Sequence, residues 1–495
     1  MSEYKHGVYG EIVAEGNPQA NGSQSAMVIF GTAPVNLVEG GAENVNKPIV
    51  IRNMAEARKT FGYSDNWADF TLCMAFKHFF DRKAVAPLVV VNVLDPATHK
   101  GAQVTRTMTP SGGKMTLTSA ENIILDSVEI YTQDDTPVKK VKGTDYTIAY
   151  NYAKKTIVIT SIGSGLGTDA LDVKYYPVTP SSVTDAVVIG STDGQGLNTG
   201  LYAIRNVYTA CGMIPAYMLA PGFSSHPAVH AAMAEVSRKI NGHWDAWMFV
   251  DIPIVDNSTP ITLATAKTWK DTNGYTQENE TVYFPMVEGV DGKKYYLSVL
   301  AAANFLELLI ENDDIPYHSA SNTAVGIVQN LYLGESVTGR VYDDQIINEY
   351  LCKHGIASAA YVAGRWAIWG AHAADYDEDN GDEVNVAETN RMMLYYVSNG
   401  FQDRRPLLVD QPLSPNDIQS IVAEEQARLD ALVGSGALLY GRATLDAESD
   451  NMSDIIKGDW LFDFEITTTP LAKSLTAKVI WTDAGFAVYF GTEAD

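Results

Sequence analysis

AMVIFG, residues 26–31, is a continuous apolar run closed by a glycine, and its reading decides the fold class. A strand apolar on both faces is buried on both faces, as in parallel sheets covered by helices. Downstream, IVI (residues 49–51) repeats the pattern on a smaller scale. Asn53 then stands where an N-cap belongs, for a helix over residues 55–61 with Gly62 as its C-terminal stop. A second helix is expected over residues 69–80, where Phe70, Met74, Phe76 and Phe79 spread around the circumference. LVVVNV, residues 88–93, is again apolar on both faces. Strand, helix, helix, strand is the opening of an α/β domain.

The α/β pattern breaks off and resumes about eighty residues later. Residues 101–180 show short alternating strands (115–117, 126–131, 146–150, 156–160, 171–176) separated by Gly, Asp, Asn and Ser turns. They read as a small all-β unit inserted into a surface loop of the host. Beyond it, strands are expected at 186–190, 216–219, 246–250, 282–287 and 365–370. Helices are expected around Leu201, Ile204, Tyr208 and Cys211, and over 227–240, 296–310 and 345–353. The acidic stretch 375–383 marks a boundary. Past it come a helix over 388–397 and a second helix with Ser414 as N-cap, Pro415 at its first position and Asp417 at its third. Ile418, Ile421, Val422, Leu429, Leu432 and Val433 form the second helix's apolar stripe, and a strand over 461–466 completes an α+β domain.

The two ends differ from everything between them. In LTAKVIWTDAGFAVYF, residues 475–490, Leu475, Ala477, Val479 and Trp481 alternate on one face. A Gly485-containing turn follows, and Phe486, Val488 and Phe490 resume the alternation. This reads as a β-hairpin with aromatic teeth at a free edge, which recruits another strand. At the other end Val8, Tyr9, Ile12 and Val13 form a matching extended arm, tethered by the Gly/Asn/Gln/Ser-rich residues 15–25. Fully extended, that tether spans roughly 35 Å. The expected contact set between copies is therefore Val8, Tyr9, Ile12, Val13, Val479, Trp481, Phe486, Val488 and Phe490. The expected divisions are 1–25 (arm and tether), 26–100 with 181–384 (α/β body), 101–180 (insert), 385–470 (C-terminal domain) and 471–495 (hairpin and arm).

A chain of 495 residues with a net charge of -25 lacks the clustered cations that neutralise phosphates, so direct nucleic-acid binding is not expected. Mean hydropathy of -0.08 fits a globular chain without membrane insertion, and the apolar run 297–310 is too short for a bilayer. The three cysteines, Cys73, Cys211 and Cys352, are far apart and predict neither a disulfide framework nor a zinc site. No signal peptide is read, which predicts a cytoplasmic chain or one released by a route other than secretion.

The chemical motifs are near misses. Gly190, Gly194, Gly196 and Gly200 approach the dinucleotide fingerprint, but Thr199 occupies the position of its third glycine. His226 and His230 have zinc spacing, yet Pro227 lies between them and the zincin glutamate is missing. Asp375, Asp377 and Asp379 begin like a calcium loop, but Asn380 and Val386 hold the positions that need Gly and Glu. No nucleophile elbow appears. The expectation is no catalytic residue, no metal and no cofactor.

Taken in order, several features resemble the contractile phage tail sheath family, which includes phage-tail-like bacteriocins. They are the Gly7-Val8-Tyr9 arm, the helix ending in Phe61-Gly62, Ala220-Pro221-Gly222, Ser319-Ala320-Ser321-Asn322, Gly355-Ile356, Asn390-Arg391-Met392-Met393, and Ile466-Thr467-Thr468-Thr469-Pro470. The resemblance implies a subtilisin-like α/β body without a working triad and a C-terminal domain that faces an inner tube. It implies a subunit that stacks in six-membered rings around that tube and contracts to drive it through a cell envelope. The implied partners are further copies of the chain, the tube protein, the baseplate and the tail terminator. The implied location is a virion tail or similar particle, with assembly in the host cytoplasm. Arg391, Arg404 and Arg405, cations in an acidic chain, are the candidates for facing the tube. The alternatives are an enzyme with a degenerate nucleotide-binding domain and a type VI secretion-like sheath component, the latter usually split over two chains.

Overall fold

The computed structural model describes residues 24–335, 343–378, 382–446, 452–483 and 485–489. Strand β1 (Ser25–Gly31) is buried from Ala26 to Gly31, as an apolar run of that length requires. β2 (Ile49–Ile51) leads into α1 (Met54–Phe61), where the Asn53 side chain accepts the Glu56 N–H and Gly62 closes the helix at φ 75°. α2 (Leu72–Phe76) continues as a π-helical turn, Lys77–Lys83, and is buried along its whole length. β3 (Leu88–Asn92) is buried at every position.

The chain then enters and leaves an all-antiparallel unit through paired strands: Gly101 N–H donates to Pro177 O, and Thr179 N–H to His99 O. One sheet holds β4 (Val104–Met108), β6 (Glu129–Thr132), β7 (Lys139–Lys140) and β10 (Leu171–Tyr175) in the order β4-β10-β6-β7. The other holds β5 (Lys114–Leu117), β8 (Tyr146–Asn151) and β9 (Thr156–Ser161) in the order β5-β9-β8. Leu117, Ile130, Ile157, Ile159 and Val173 sit in a hydrophobic cluster of its own. The unit is fastened to the body by polar contacts: Asn36 Nδ2 to the Glu121 and Ile123 carbonyls, Gly40 N–H to Asp126 Oδ2, and Tyr152 OH to the Arg58 carbonyl.

Returning to the body, the expected strand at 186–190 is a helix, α3 (Asp185–Ile189). A short apolar run fits either state, and here the Thr184 carbonyl accepts the Val187 and Val188 N–H groups while Gly190 ends the turn at φ 67°. α4 (Val207–Cys211), β11 (Ile214–Leu219), α5 (Pro227–Val236) and β12 (Trp247–Asp251) follow as a regular alternation. A small ribbon, β13 (Val255–Asp256) with β14 (Thr259–Pro260), precedes α6 (Leu263–Thr272). The strand expected over 282–287 is split into β15 (Glu280–Tyr283) and β16 (Met286–Gly289), because Pro285 has no N–H to offer a ladder. β17 (Lys294–Tyr295), the long helix α7 (Leu297–Glu311) and β18 (Val328–Tyr332) come next, and β17-β16-β18 make a small antiparallel sheet. α8 (Asp344–Tyr350) leads to a hairpin of β19 (Ile356–Val362) and β20 (Arg365–Trp369). The main sheet has the order β2-β3-β1-β11-β12-β15-β19-β20, parallel from β3 to β19, with an antiparallel strand at each edge. α7 packs on β11, β12 and β15, burying Leu297, Leu300 and Phe305 in the main core.

The C-terminal domain is built on α9 (Glu388–Arg404) and α10 (Pro415–Gly434). The Ser414–Asp417 capping box forms at the start of α10 as its sequence dictates. α10 lies across β21 (Leu438–Leu445), which after α11 (Met452–Lys457) pairs antiparallel with β22 (Phe462–Thr468). Met393, Leu429, Leu432, Leu438 and Ala443 are its small buried core. Glu388, at the head of α9, ties this domain to the body: it accepts from Thr281 Oγ1 and from Ser319 Oγ, each at 2.5 Å.

Among the described residues after Pro470, the expected hairpin is absent. Residues 470–482 carry no regular structure, and Gly485–Tyr489 form a short helix, α12. An alternating strand gains its stability from the partner across the ladder, and a lone two-stranded ribbon is marginal in water. Without a partner sheet the last residues close local turns instead, such as the Phe486 N–H onto the Asp483 carbonyl at 2.8 Å.

Candidate functional site

The surface that stands out lies where the C-terminal domain meets the segment that follows it. β21 and β22 form a sheet of two strands only, so among the described residues each has a strand neighbour on one side and an open edge on the other. Leu439 and Tyr440 on β21 and Leu461 beside β22 are exposed. Along β22, Phe462, Phe464 and Ile466 are half-buried and alternate with exposed Asp463, Glu465 and Thr467. Their apolar face and Phe401, Val397 and Leu394 of α9 line a groove of about 600 Å³ that Trp460 helps to close. The groove is apolar, and its long wall is a strand with unpaired backbone groups. That is the geometry into which an extended peptide adds as a third strand.

The segment after Pro470 has the complementary character. Leu475 and Val479 are each 91% exposed and Trp481 is 80% exposed. Its root is fixed: Thr469 Oγ1 donates to the Gly436 carbonyl at 2.6 Å, and Lys473 Nζ donates to Tyr376 OH at 2.8 Å. Tyr376 is itself stacked on His372 at 3.8 Å. Residues 471–474 run along a second cavity of about 920 Å³ with Asn348, Trp369 and His372 in its walls. Of the expected contact residues, Val479, Trp481 and Phe486 are thus exposed, and Val488 lies in α12. Val8, Tyr9, Ile12, Val13 and Phe490 lie outside the described residues.

The three arginines expected to face a tube are each paired with a carboxylate of their own chain. Arg404 forks onto Glu425, with Nη2–Oε2 at 2.6 Å and Nε–Oε1 at 3.3 Å. Arg405 bonds Glu424 at 2.8 Å and also closes on Glu425 Oε1. Arg391 pairs with Glu278 of the body at 2.9 Å. For Arg404 and Arg405 the cause is Glu425, a carboxylate 3% exposed on the buried stripe of α10, which must be compensated. Burial acts to raise its pKa, but the hydrogen bonds and charges of Arg404 and Arg405 outweigh that and hold it below the usual glutamate range. The Arg404 and Arg405 guanidinium groups brace the domain internally, and Arg391 ties it to the body. Glu425 was legible as a signal, since a carboxylate between Ile421 and Leu429 on an apolar stripe demands a partner.

The near-miss motifs resolve into packing. An added Cβ on Gly190 would fall 2.1 Å from the Thr199 carbonyl oxygen, and one on Gly200 would fall 2.3 Å from that of Val188. Those glycines let two backbone segments touch each other. His226 pairs with Asp185 and His230 with Glu280, each at 2.6 Å, so the two imidazoles serve different carboxylates. Asp375 accepts from Asn385, while Asp379 lies outside the described residues. Among the described residues no group of three His, Cys, Asp or Glu side chains could hold a metal ion. Within the body, Ser298 Oγ donates to the buried Asp251, whose carboxyl burial pushes up to about 7 against the Ser298 and Ser224 hydrogen bonds. The buried His230 bonds Glu280 and stacks on Tyr275. Among the described residues, no helix is long and apolar enough to cross a membrane.

No family model matches the chain. It is 24% identical over 504 aligned residues to the tail sheath protein of Burkholderia phage BcepMu, covering 96% of each chain. It is 22% identical to the tail sheath protein of Escherichia phage P2, over 67% of this chain and 78% of that one. Among solved structures, its fold is similar to the helical sheath of the anti-feeding prophage in the contracted state. The TM-score there is 0.54 at 12% identity, over 97% of this chain and 100% of that one. It is likewise similar to the sheath complex of an extracellular contractile injection system, PVC, in the contracted state, with a TM-score of 0.54 at 11% identity over 98% and 99%.

Proposed function

We propose that the chain is a contractile tail sheath subunit held to its neighbours by exchanged terminal strands. Copies would stack as six-membered rings around an inner tube, and the helical array would contract to drive that tube through a cell envelope. One observation carries the joint: an exposed apolar segment without a ladder and a two-stranded sheet with open edges occur in the same chain. Each strand added to the edge of β22 would supply backbone hydrogen bonds worth about 0.5–1.5 kcal/mol apiece and would bury Val479 and Trp481 over the apolar groove. Such a joint survives rotation of the bodies, because only the tethers need to bend.

On this reading the body is a subtilisin-like scaffold that keeps no relay, and residues 101–180 are an outer layer that assembly can spare. The baseplate binds one end of the array, the tail terminator the other, and the tube protein lies against the C-terminal domain. The particle is a phage tail or a phage-tail-like device assembled in the host cytoplasm. Negative-stain microscopy of the purified chain tests the reading: striated tubes are the expected outcome, and monodisperse particles at every concentration would overturn it.

A further inference from the structure

The body and the insert build a cavity together at their joint. α1 ends at Gly62, whose φ of 75° turns the chain, and Tyr63, Ser64 and Asp65 follow the last helical turn. Just past β8 of the insert, the Tyr152 hydroxyl donates to the Arg58 carbonyl of that same turn at 3.2 Å. Between them lies a cavity of about 320 Å³, walled by Arg58, Tyr63 and Asp65 from the body and by Glu121, Tyr150 and Tyr152 from the insert. Neither part holds the site alone. Its volume is at the small end of the range for small-molecule sites.

The polar groups of the cavity are only half used. Glu121 Oε1 accepts from Ser64 Oγ and pairs with Lys155 Nζ, each at 2.9 Å, while Oε2 has no bond among the described residues. Asp65 Oδ1 accepts from Tyr63 OH at 3.0 Å and Lys293 Nζ at 2.8 Å, and its Oδ2 is likewise left over among the described residues. The Arg58 guanidinium lies 5.4 Å from the centre of the Tyr63 ring and 5.9 Å from that of Tyr152. It is held by these two aromatic faces and pairs with no carboxylate among the described residues. Tyr150 stands edge-on to Tyr152, with ring centres 4.9 Å apart.

A ligand for this cavity must meet three demands at once. Carboxylate oxygens only accept, so it must bring donors; a guanidinium only donates, so it must also bring acceptors. The tyrosine rings offer apolar faces, so it must bring C–H surface as well. A carboxylate would answer Arg58 but set a third acid beside Glu121 and Asp65, and one acidic side chain would leave most of the volume empty. Hydroxyl groups both donate and accept, and a pyranose ring carries several of them around a C–H face. We propose that the cavity binds a neutral pyranose sugar, its hydroxyls donating to Glu121 and Asp65 and accepting from Arg58, with its C–H face against Tyr150 and Tyr152. The site lies within one chain and needs no assembly. On the sheath reading, which makes the insert an outer layer, it would face outward from the particle.

Saturation-transfer NMR of the full chain tests the proposal. The probes are glucose, galactose, mannose, rhamnose and N-acetylglucosamine, free and as methyl glycosides, with sodium acetate as the anionic control. At least one sugar is expected to receive saturation, with a dissociation constant in the millimolar range. Methyl glycosides that bind as well as the free sugars would assign the site to glycan chain ends, and free sugars alone to solutes; either upholds it. Arg58→Ala and Glu121→Gln should each weaken binding about tenfold. Lys59→Ala, exposed on the same helix and outside the cavity, should bind as the wild type does. Arg58 is itself exposed, so its variant should keep the wild-type melting temperature and decides the matter even if Glu121→Gln fails to fold. Silence from every sugar, or equal saturation in Arg58→Ala, would overturn the site. Arg58-dependent binding of acetate alone would make it a seat for acidic side chains and would overturn it too. The readout needs no tubes, so a chain that never assembles would sink the sheath reading alone.

Discussion

Strand β12 and residues 475–481 are built from similar residues and end in opposite states. Trp247, Met248, Phe249, Val250 and Asp251 are all buried, between neighbouring strands and under helices. Leu475, Val479 and Trp481 stand in solvent with no strand beside them among the described residues. The difference is the partner. β12 finds β11 and β15 within its own chain, whereas the last segment has the pattern of a strand and no ladder within reach. Apolar pattern states what a segment can bury, and connectivity decides whether one chain suffices to bury it.

Substitutions separate the two regions by their effect on the isolated chain. Phe249→Ala should be the most damaging, since the ring lies between Tyr283 and Phe305 with 1% exposure. A loss of about 3–5 kcal/mol is expected in urea unfolding; a loss below about 1 kcal/mol would mean that this core repacks freely. Glu425→Gln comes next, at about 2–3 kcal/mol, discounted from a fully buried pair because Arg404 and Arg405 retain 20% and 16% side-chain exposure. Glu425's depressed pKa makes its contribution present above the ordinary glutamate range and lost as pH falls through the lowered value, so the Gln variant should show a flatter acid limb. An unchanged acid limb would remove the brace. Charge reversal at Arg404 and Arg405 should likewise lower stability, which distinguishes a brace from a free docking surface. Ser414→Ala, which breaks the capping box of α10, should cost about 1 kcal/mol, and no change at all would show that the helix start is held by packing alone.

The sequence carried the body well because its signals are redundant. β1, β3 and β12 are long apolar runs, and Asn53 with Gly62 brackets α1. It failed where the signal was short or plain. Residues 186–190 fit helix and strand alike, and the middle of β19 is Ala357, Ser358, Ala359 and Ala360, with its β-branched residues, Ile356 and Val362, only at the ends. β21 escaped notice for a related reason: Gly441 and Arg442 interrupt its apolar pattern, yet α10 covers it. For the candidate site, the exposed aromatic alternation of the last segment was legible, but its acceptor was not. An open edge is a property of a sheet and belongs to no single stretch of sequence. The roles of Arg404 and Arg405 turned on Glu425, twenty residues away, which only packing brings to them.

On the sheath reading, the last segment serves association and not the fold of its own chain. Val479→Ala combined with Trp481→Ala tests this most directly, with thermal unfolding of the dilute chain and microscopy of the concentrated chain measured on one preparation. The expected result is a melting temperature within a few degrees of the wild type together with the loss of striated tubes. A much lower melting temperature with tubes still forming in the cold would contradict it and assign these side chains to the core of their own subunit.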